Sequence, residues 1–240
     1  MYRQLLVPMD GSTFAEHALP AALTLARRGG ATLHLVTVCP PLTEVYTEGL
    51  YIGMADLLTD LMQRQQAYLD GVVRRLKERG NVTVTTTVVQ GEVADTLCHL
   101  VADRKADLVV MATHGRGALG RFWLGSVADE MIRHGPAALL LVRPQEEVAD
   151  LSHEPDLGRV LIALDGTPLS EQILEPAVQL AGLMPEARFT LMRAIAAVVP
   201  VASTPDVPEG DREARQLLTR VQGMQTKLYE DIERYLGGVA

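Results

Sequence analysis

The sequence predicts an α/β fold: an open parallel sheet with helices on both faces, followed by a partial repeat of the same unit. Short apolar runs alternate with segments in which apolar residues recur every three or four positions, as in successive βαβ units. The apolar runs are continuous rather than alternating, which is typical of strands buried on both faces. The opening strand-and-turn pattern returns beyond residue 157.

Five strands and four helices are predicted over the first 144 residues. The strands cover residues 5–9, 32–38, 82–89, 108–112 and 138–142. The helices cover residues 13–28, a long segment that includes residues 58–76, residues 93–103 and residues 126–133. Residues 39–51 and 113–124 are predicted loops. The apolar stripe of the long helix is predicted to be core and consists of Leu58, Leu61, Gln65, Leu69, Val72 and Leu76.

The composition is that of a globular protein without a membrane span. Of 240 residues, 48% are apolar, too many for a disordered chain. No apolar run reaches the roughly 18–20 residues that a span requires, and no signal-peptide pattern opens the chain. The two cysteines, Cys39 and Cys98, have neither metal-site nor disulfide-framework spacing. We therefore expect a cytoplasmic protein.

The formal charge of −8 lies entirely in the last part of the chain. Residues 1–144 hold 14 basic and 14 acidic side chains, whereas residues 145–240 hold 8 basic and 16 acidic ones. Neither part has the clustered basic surface that binds phosphate backbones or an anionic membrane. We expect no nucleic-acid partner and no membrane partner.

An internal repeat suggests how the chain divides into domains. Residues 158–167 restate the strand and turn of residues 5–12, and Glu171 falls where Glu16 falls. The copy stops at Gly237-Gly238, where its third strand should start. The predicted divisions are a complete domain in residues 1–144, an acidic linker in residues 145–157 and an incomplete second domain in residues 158–240.

The first candidate site segment is Pro8-Met9-Asp10-Gly11-Ser12, at the predicted end of the first strand. In an open α/β sheet, ligands bind beyond the carboxyl ends of the strands. The Asp10 carboxylate can accept hydrogen bonds from ribose hydroxyls, or hold a metal ion beside phosphates. The alternative is a structural turn, in which Asp10 forms an Asx turn and Ser12 caps the next helix.

The second candidate segment runs from Ala112-Thr113-His114-Gly115 to Gly125-Ser126-Val127, between the fourth strand and a helix. Glycines allow main-chain N–H groups to approach phosphate oxygens, and a helix N-terminus adds partial positive charge. Arg116 and Arg121 can neutralise phosphate charge, and Ser126 is the expected N-cap. The alternative is a long glycine-rich surface loop before a capped helix.

These segments resemble the universal stress protein family, in its ATP-binding branch. The resemblance covers residues 1–144. It is carried by VPMDGS at residues 7–12, MATHGRGALGRFWLGSV at residues 111–127 and IRHGP at residues 132–136. Nucleotide binders of the family have Gly, two residues, Gly, nine residues, Gly, then Ser or Thr. The residues at those positions here are Ala112, Gly115, Gly125 and Ser126, so an alanine replaces the first glycine.

The resemblance implies a five-stranded sheet of order 3-2-1-4-5 and an adenine-nucleotide site. Asp10 would lie near the ribose and phosphates, and the Val38 main chain would meet adenine. Gly115, Gly125 and Ser126 would hold the phosphates. The implied ligand is ATP or another adenine nucleotide, with Mg²⁺ near Asp10. The full set of expected nucleotide-binding residues is Pro8, Met9, Asp10, Val38, Ala112, His114, Gly115, Arg116, Gly125, Ser126 and Val127.

The leading functional hypothesis is an ATP-binding regulatory module of the stress response, with at most slow ATP hydrolysis. The alternative is a nucleotide-free structural module for dimerisation, similar to other members of the family. An adenylating or pyrophosphatase enzyme is disfavoured, because such enzymes usually carry Ser-Gly-Gly-x-Asp-Ser after the first strand and because His114 has no evident nucleophile. Asp165 repeats Asp10 without a second glycine loop, so we expect one nucleotide site per chain. We also expect a homodimer through the strand at residues 137–143.

Overall fold

The computed structural model describes residues 2–41, 51–113, 124–145, 147–195 and 212–240. The chain divides into two units. The first comprises Met1–Leu157 and Gly182–Met184, and the second comprises Gly158–Ala181 and Pro185–Ala240. In the described ranges, no helix is both long enough and apolar enough to cross a membrane.

Five parallel strands form the sheet of the first unit. They are β1 (Gln4–Pro8), β2 (Thr32–Cys39), β3 (Val84–Gln90), β4 (Leu108–Ala112) and β5 (Ala138–Val142). Their order is β3-β2-β1-β4-β5, which confirms the predicted fold class and strand order. The order reverses between β1 and β4, so the segments that follow these two strands leave the sheet at a topological switch point.

The helices of the first unit differ from the prediction mainly where they begin. They are α1 (Ala18–Gly29), α2 (Tyr51–Glu78), α3 (Val93–Asp103) and α4 (Ser126–His134). A 3₁₀ turn over Ala15–His17 precedes α1, where a continuous helix from residue 13 was predicted. Pro20 explains the difference, because its missing N–H interrupts a longer helix but costs nothing in the first turn of α1. Tyr51, predicted to lie in a loop, is the first residue of α2, and residues 42–50 of that loop lie outside the described ranges.

The core of the first unit lies on both faces of its sheet. Leu5, Leu6 and Val7 of β1 have no exposed surface, as their continuous apolar run predicts. Leu6 belongs to a buried cluster formed with residues of β4, α3 and α4. The predicted core stripe of α2 is buried along the second half of the helix only, at Leu69, Val72 and Leu76. Its earlier members are half-buried.

The acidic segment that follows β5 lies along the start and end of α1. Nε2 of His17 lies 2.8 Å from the Glu147 carbonyl oxygen. At the other end of the helix, Glu154 pairs with Arg27 at 3.1 Å and with Arg28 at 2.9 Å. These contacts place the segment with the first unit.

The second unit contains a short parallel sheet in its described part. Its elements are β6 (Arg159–Ala163), α5 (Pro168–Glu171), α6 (Leu174–Ala181), β7 (Arg188–Met192) and α7 (Arg212–Val239). The Leu164 N–H donates to the Met192 carbonyl oxygen at 2.8 Å, just as the Met9 N–H donates to the Val36 carbonyl oxygen at 2.7 Å. α7 continues through Gly237-Gly238, the two residues at which the repeat was predicted to stop. A glycine costs a helix only about 1 kcal/mol, too little by itself to end it.

Candidate functional site

The carboxyl ends of β1 and β4 lie side by side. In their register, Leu5 is opposite Leu108 and Leu6 is opposite Val109. Asp10 and Thr113 each stand four residues beyond the last of these pairs, so they leave the same edge of the sheet at the same level. The fold therefore brings the two candidate segments to one edge.

The Asp10 turn is held by its own side chains. The Ser12 N–H donates to Asp10 Oδ1 at 2.8 Å, and the Ala15 N–H donates to Ser12 Oγ at 3.1 Å. Gly11 has a φ of +77°, in the left-handed region that favours glycine. The Asx turn of the structural alternative is thus present, whereas the N-cap of the 3₁₀ turn is Phe14 rather than Ser12. The Asx turn is compatible with ligand binding, since a carboxylate offers about four acceptor positions.

The Val38 main chain faces the space above the end of β1. The β1–β2 pairing ends at Pro8 opposite Val36, and the Met9 N–H donates to the Val36 carbonyl oxygen. Main-chain groups of a strand point alternately toward its two neighbours, so those of Val38 point the same way as those of Val36. Within the described ranges, Val38 therefore offers one donor and one acceptor to this space.

The side chains around Val38 take different positions. The Val38 side chain is half-buried and packs against the core cluster that includes residues of α3 and α4. Met9 is buried, with 3% of its surface exposed, and Pro8 is half-buried at the end of β1. The Met9 side chain therefore belongs to the core, and Pro8 is partly covered where β1 ends.

A main-chain hydrogen bond closes the loop between β4 and α4. The Thr113 N–H donates to the Val142 carbonyl oxygen at 2.9 Å, and the Gly125 N–H donates to the Thr113 carbonyl oxygen at 2.8 Å. Both ends of the loop are thereby fixed at the edge of the sheet. The loop residues that lie outside the described ranges include His114, Gly115, Arg116, Arg121 and Trp123.

α4 begins at this loop without a side-chain cap. Gly125 is the N-cap, with φ −74° and ψ 156°, and the Asp129 N–H donates to its carbonyl oxygen at 2.9 Å. The prediction of Ser126 as the N-cap was wrong by one residue, because Gly125 takes the extended conformation of a cap and Ser126 is already helical and exposed. The N–H groups of Ser126, Val127 and Ala128 have no acceptor within the helix. They form the donor set at this end of α4.

The alanine that replaces the family's first glycine is accommodated without strain. Ala112 lies in β4, opposite Val142, with 7% of its surface exposed. Among the described residues, only Lys105 and Glu186 combine a side chain with a positive φ. The backbone of Ala112 is therefore one that any L-residue adopts, and the substitution does not disturb the end of β4.

Three side chains that the sequence did not single out as a group meet beside the Asp10 turn. Arg75 donates to Glu16 Oε2 at 2.9 Å and to Glu16 Oε1 at 2.8 Å, and the Tyr68 hydroxyl donates to Oε1 at 3.0 Å. Burial and the adjacent Glu16 carboxylate raise the pKa of Tyr68, and the charge of Asp10 adds to the effect. Hydrogen bonding to Glu16 raises the pKa of Arg75. The sequence did hint at the importance of Glu16, because Glu171 stands at the corresponding position of the repeat.

The described residues contain no group of three or more side chains able to hold a metal ion. At the candidate site, the Asp10 carboxylate is one potential ligand. Mg²⁺ is usually bound through one or two carboxylates together with substrate phosphates. The donor set therefore fits an ion that arrives with a nucleotide.

The turn after β6 has the same construction as the Asp10 turn. The Thr167 N–H and hydroxyl donate to Asp165 Oδ1 at 2.8 and 2.6 Å, and Gly166 has a φ of +87°. Hydrogen bonds from Thr167 and then Ser170 lower the pKa of Asp165 to about 2. Arg193 packs against this turn, since a Cβ built on Gly166 would lie 2.6 Å from its Nη1.

Comparison with known proteins identifies the first unit. The model of the universal stress protein family matches residues 1–143. A universal stress protein of Methanocaldococcus jannaschii is 27% identical over 150 residues, which are 61% of this chain and 86% of that protein. The solved universal stress protein UspA from Lactobacillus plantarum is 22% identical, covers 59% of this chain and 98% of its own, and has a TM-score of 0.55. A Pseudomonas aeruginosa chain described as a universal stress protein is 17% identical, covers 96% of this chain and 70% of its own, and has a TM-score of 0.54.

The likeness to the two solved structures concerns the fold. The family match covers more than half of the chain and includes β1 to β5 and both candidate segments. It confirms the resemblance drawn from the Asp10 turn and the glycine loop, and the chain belongs to the universal stress protein family.

Proposed function

We propose that the first unit binds an adenine nucleotide, with ATP the preferred ligand, and that its occupancy regulates contacts with a partner in the stress response. One observation carries this proposal: the Asp10 turn, the Val38 main chain and the uncapped start of α4 converge on one edge of the sheet. Each of the three offers a group suited to a different part of a nucleotide.

The start of α4 suits the phosphates. The N–H groups of Ser126, Val127 and Ala128 lack intrahelical acceptors, and the helix dipole adds partial positive charge there. α4 has nine residues, and no side-chain cap competes for these donors. Gly115 and Arg116 belong to the same proposal through the resemblance of the loop to the family pattern.

The Asp10 carboxylate suits the ribose, and Val38 suits the base. A carboxylate fixed in an Asx turn can accept hydrogen bonds from ribose hydroxyls without first being ordered. The Val38 N–H and carbonyl offer a donor and an acceptor side by side. Adenine presents a complementary acceptor and donor on its Watson–Crick edge.

The groups of the described residues at this edge are suited to binding and orienting a ligand. Main-chain N–H groups and a carboxylate held in a turn stabilise negative charge and fix hydroxyls, and nucleophilic catalysis requires an activated nucleophile in addition. We therefore propose a binding module with at most slow ATP hydrolysis. Mg²⁺ would enter with the phosphates and contact Asp10.

We further propose that residues 158–240 belong to a second domain of the same family, after an acidic segment at residues 145–157. The Asp165 turn repeats the Asp10 turn in its hydrogen bonds and in the positive φ of its glycine. We propose a nucleotide site in the first unit, where the start of α4 accompanies the Asp10 turn.

A nucleotide-free dimerisation module is the second candidate. It is favoured by β5, which lies at the edge of the sheet and whose five apolar residues are all half-buried. The two candidates differ in whether the Asp10 edge of the sheet binds a nucleotide, so a measurement of nucleotide binding distinguishes them.

The test is mass spectrometry of the protein purified under native conditions, followed by calorimetry with ATP, ADP, AMP and cyclic AMP, with and without Mg²⁺. Asp10→Asn keeps the oxygen of the Asx turn but removes the charge, and Asp165→Asn is the matched control. We expect one ATP per chain, affinity at least about tenfold weaker in Asp10→Asn and unchanged affinity in Asp165→Asn. Absence of binding by all four nucleotides would overturn the proposal in favour of the dimerisation module.

A further inference from the structure

Glu16 links the Asp10 turn to α2. It lies in the 3₁₀ turn that directly follows the Asp10 turn, and 12% of its side chain is exposed. Its carboxylate receives two hydrogen bonds from Arg75 and one from Tyr68, both on α2. A bidentate arginine–carboxylate pair fixes geometry as well as charge. α2 therefore sets the position of the segment that continues the Asp10 turn.

The second unit builds the same link from a different helix position. The Tyr235 hydroxyl of α7 donates to Glu171 Oε1 at 2.8 Å. Burial and this hydrogen bond raise the pKa of Tyr235, and the charge of Asp165 adds to the effect. In the proposed repeat, Tyr235 corresponds to Arg75. The position of Tyr68 is occupied by a leucine, Leu228.

Residues seven apart lie on nearly the same face of a helix. A tyrosine at either position can therefore present its hydroxyl to the same carboxylate. The two units have retained the hydroxyl–glutamate bond although the residue that supplies it has changed. What they share besides this bond is the adjoining Asx turn, at Asp10 in one and at Asp165 in the other.

We propose that Glu16 is a positioning residue of the candidate nucleotide site: its bonds to Tyr68 and Arg75 hold the Asp10 turn in the orientation that receives the ribose and phosphates. This inference rests on the proposed function and extends it to a residue that acts through the turn. Binding groups need to be held within about 0.5 Å of their productive positions by a surrounding shell of hydrogen bonds.

The test exchanges the helix residues of one unit for those of the other and measures the ATP affinity by calorimetry. The double variant Tyr68→Leu with Arg75→Tyr reproduces the arrangement of the second unit. The double variant Tyr68→Leu with Arg75→Phe differs from it by a single hydroxyl. Glu16→Gln removes the charge itself, and Glu171→Gln is its matched control. The thermal midpoint of each variant is recorded in parallel.

We expect the variant with the hydroxyl to bind ATP within about threefold of the wild type. Glu16→Gln and the variant without the hydroxyl should bind at least about tenfold more weakly, and Glu171→Gln should bind as the wild type does. Equal ATP affinity of the two double variants, or wild-type ATP affinity of Glu16→Gln, would overturn the positioning role of Glu16 and leave the proposed nucleotide site standing. A wild-type protein that binds no adenine nucleotide would overturn the proposed function and this inference with it. If the variant without the hydroxyl does not fold, Tyr68→Phe, which also removes the hydroxyl from Glu16, replaces it under the same expectation of weakened binding.

Discussion

The main-chain N–H of Gly125 donates to the carbonyl oxygen of Thr113 at 2.8 Å, and this bond joins the end of β4 to the start of α4. It brings the two ends of the glycine-containing loop together at the switch point of the sheet. It also occupies the N–H of Gly125, so the donors available to a ligand are those of the next three residues. Because Gly125 has no side chain, a ligand can approach those N–H groups closely.

Gly125→Val is therefore expected to abolish nucleotide binding while the fold persists. Its φ of −74° and ψ of 156° are open to a β-branched residue, and the cost of a poorer N-cap is about 1 kcal/mol. The valine side chain would occupy the approach to the first turn of α4. Calorimetry with ATP tests the loss of binding, and a thermal melt tests whether the fold persists.

Gly237→Val is the control for this change. A Cβ built on Gly237 meets no atom within 4 Å, so both the melting temperature and the ATP affinity should stay close to those of the wild type. Unchanged ATP affinity in Gly125→Val would show that the phosphates lie elsewhere.

The Asp165 turn is expected to titrate in strong acid. Hydrogen bonds from Thr167 and then Ser170 lower the pKa of Asp165 from 3.8 to about 2. A carboxyl group with a lowered pKa stabilises the fold at pH values above its ordinary pKa, and the contribution is lost as the pH falls through the lowered value. Carboxyl-carbon NMR should give a midpoint near 2 for Asp165. Thr167→Ala, which removes the largest cause, should raise that midpoint toward 3.8, and an unmoved midpoint would contradict the assignment.

The Tyr68 hydroxyl is expected to make stability depend on alkaline pH. Burial and the Glu16 carboxylate raise the pKa of Tyr68 above its ordinary value of 10.0. The unfolded chain then ionises at a lower pH than the folded one, so this contribution is present below about pH 10 and is lost as the pH rises further. Tyr68→Phe should be less stable than the wild type by about 1 kcal/mol at neutral pH.

The difference in the free energy of unfolding between the wild type and Tyr68→Phe should narrow above about pH 10. Urea unfolding at a series of pH values measures it, and Tyr229→Phe, at a side chain that is 51% exposed, is the control for the same chemical change. A difference that stays constant across this range would contradict the prediction.

Much of the fold follows from local signals in the sequence. Short apolar runs, such as residues 5–9 and 108–112, and the Thr- and Val-rich composition of residues 82–89 located the strands of the first unit. The predicted start of α1 at residue 13 was wrong because Pro20 has no N–H to donate in the interior of a helix that begins there. The first residue of α4 was predicted, but its cap was not, since only the backbone angles of Gly125 distinguish a glycine cap from a serine cap.

The candidate site was predictable only in part. The Asp10 turn and the two ends of the glycine loop carry recognisable local patterns. The bonds of Glu16 to Tyr68 and Arg75 join segments 52 and 59 residues apart, and no local pattern specifies such a pairing. The orientation of the Val38 main chain likewise depends on where β1 ends beside β2, which is a property of the assembled sheet.

The β5 edge is expected to form a homodimer. β5 pairs with β4 on one side and is the last strand of the five-stranded sheet. Leu139 and Leu141 pack against the core cluster, yet every residue of β5 keeps part of its surface exposed. An exposed edge of apolar residues is a template for pairing with another chain. Sedimentation of the wild type at micromolar concentration should therefore give twice the mass of one chain.

Leu140→Lys places a charge at the middle of β5 and should shift the sedimenting species to a single chain, because a lysine on an edge strand opposes edge-to-edge pairing. Leu161→Lys, at a side chain of β6 that is 60% exposed, is the matched control and should remain dimeric. ATP binding should survive in Leu140→Lys, since the proposed contacts with the nucleotide come from β1, β2 and α4 of one chain. A wild-type protein that sediments as a single chain, or a Leu140→Lys protein that remains a dimer, would show that this edge does not hold two copies together.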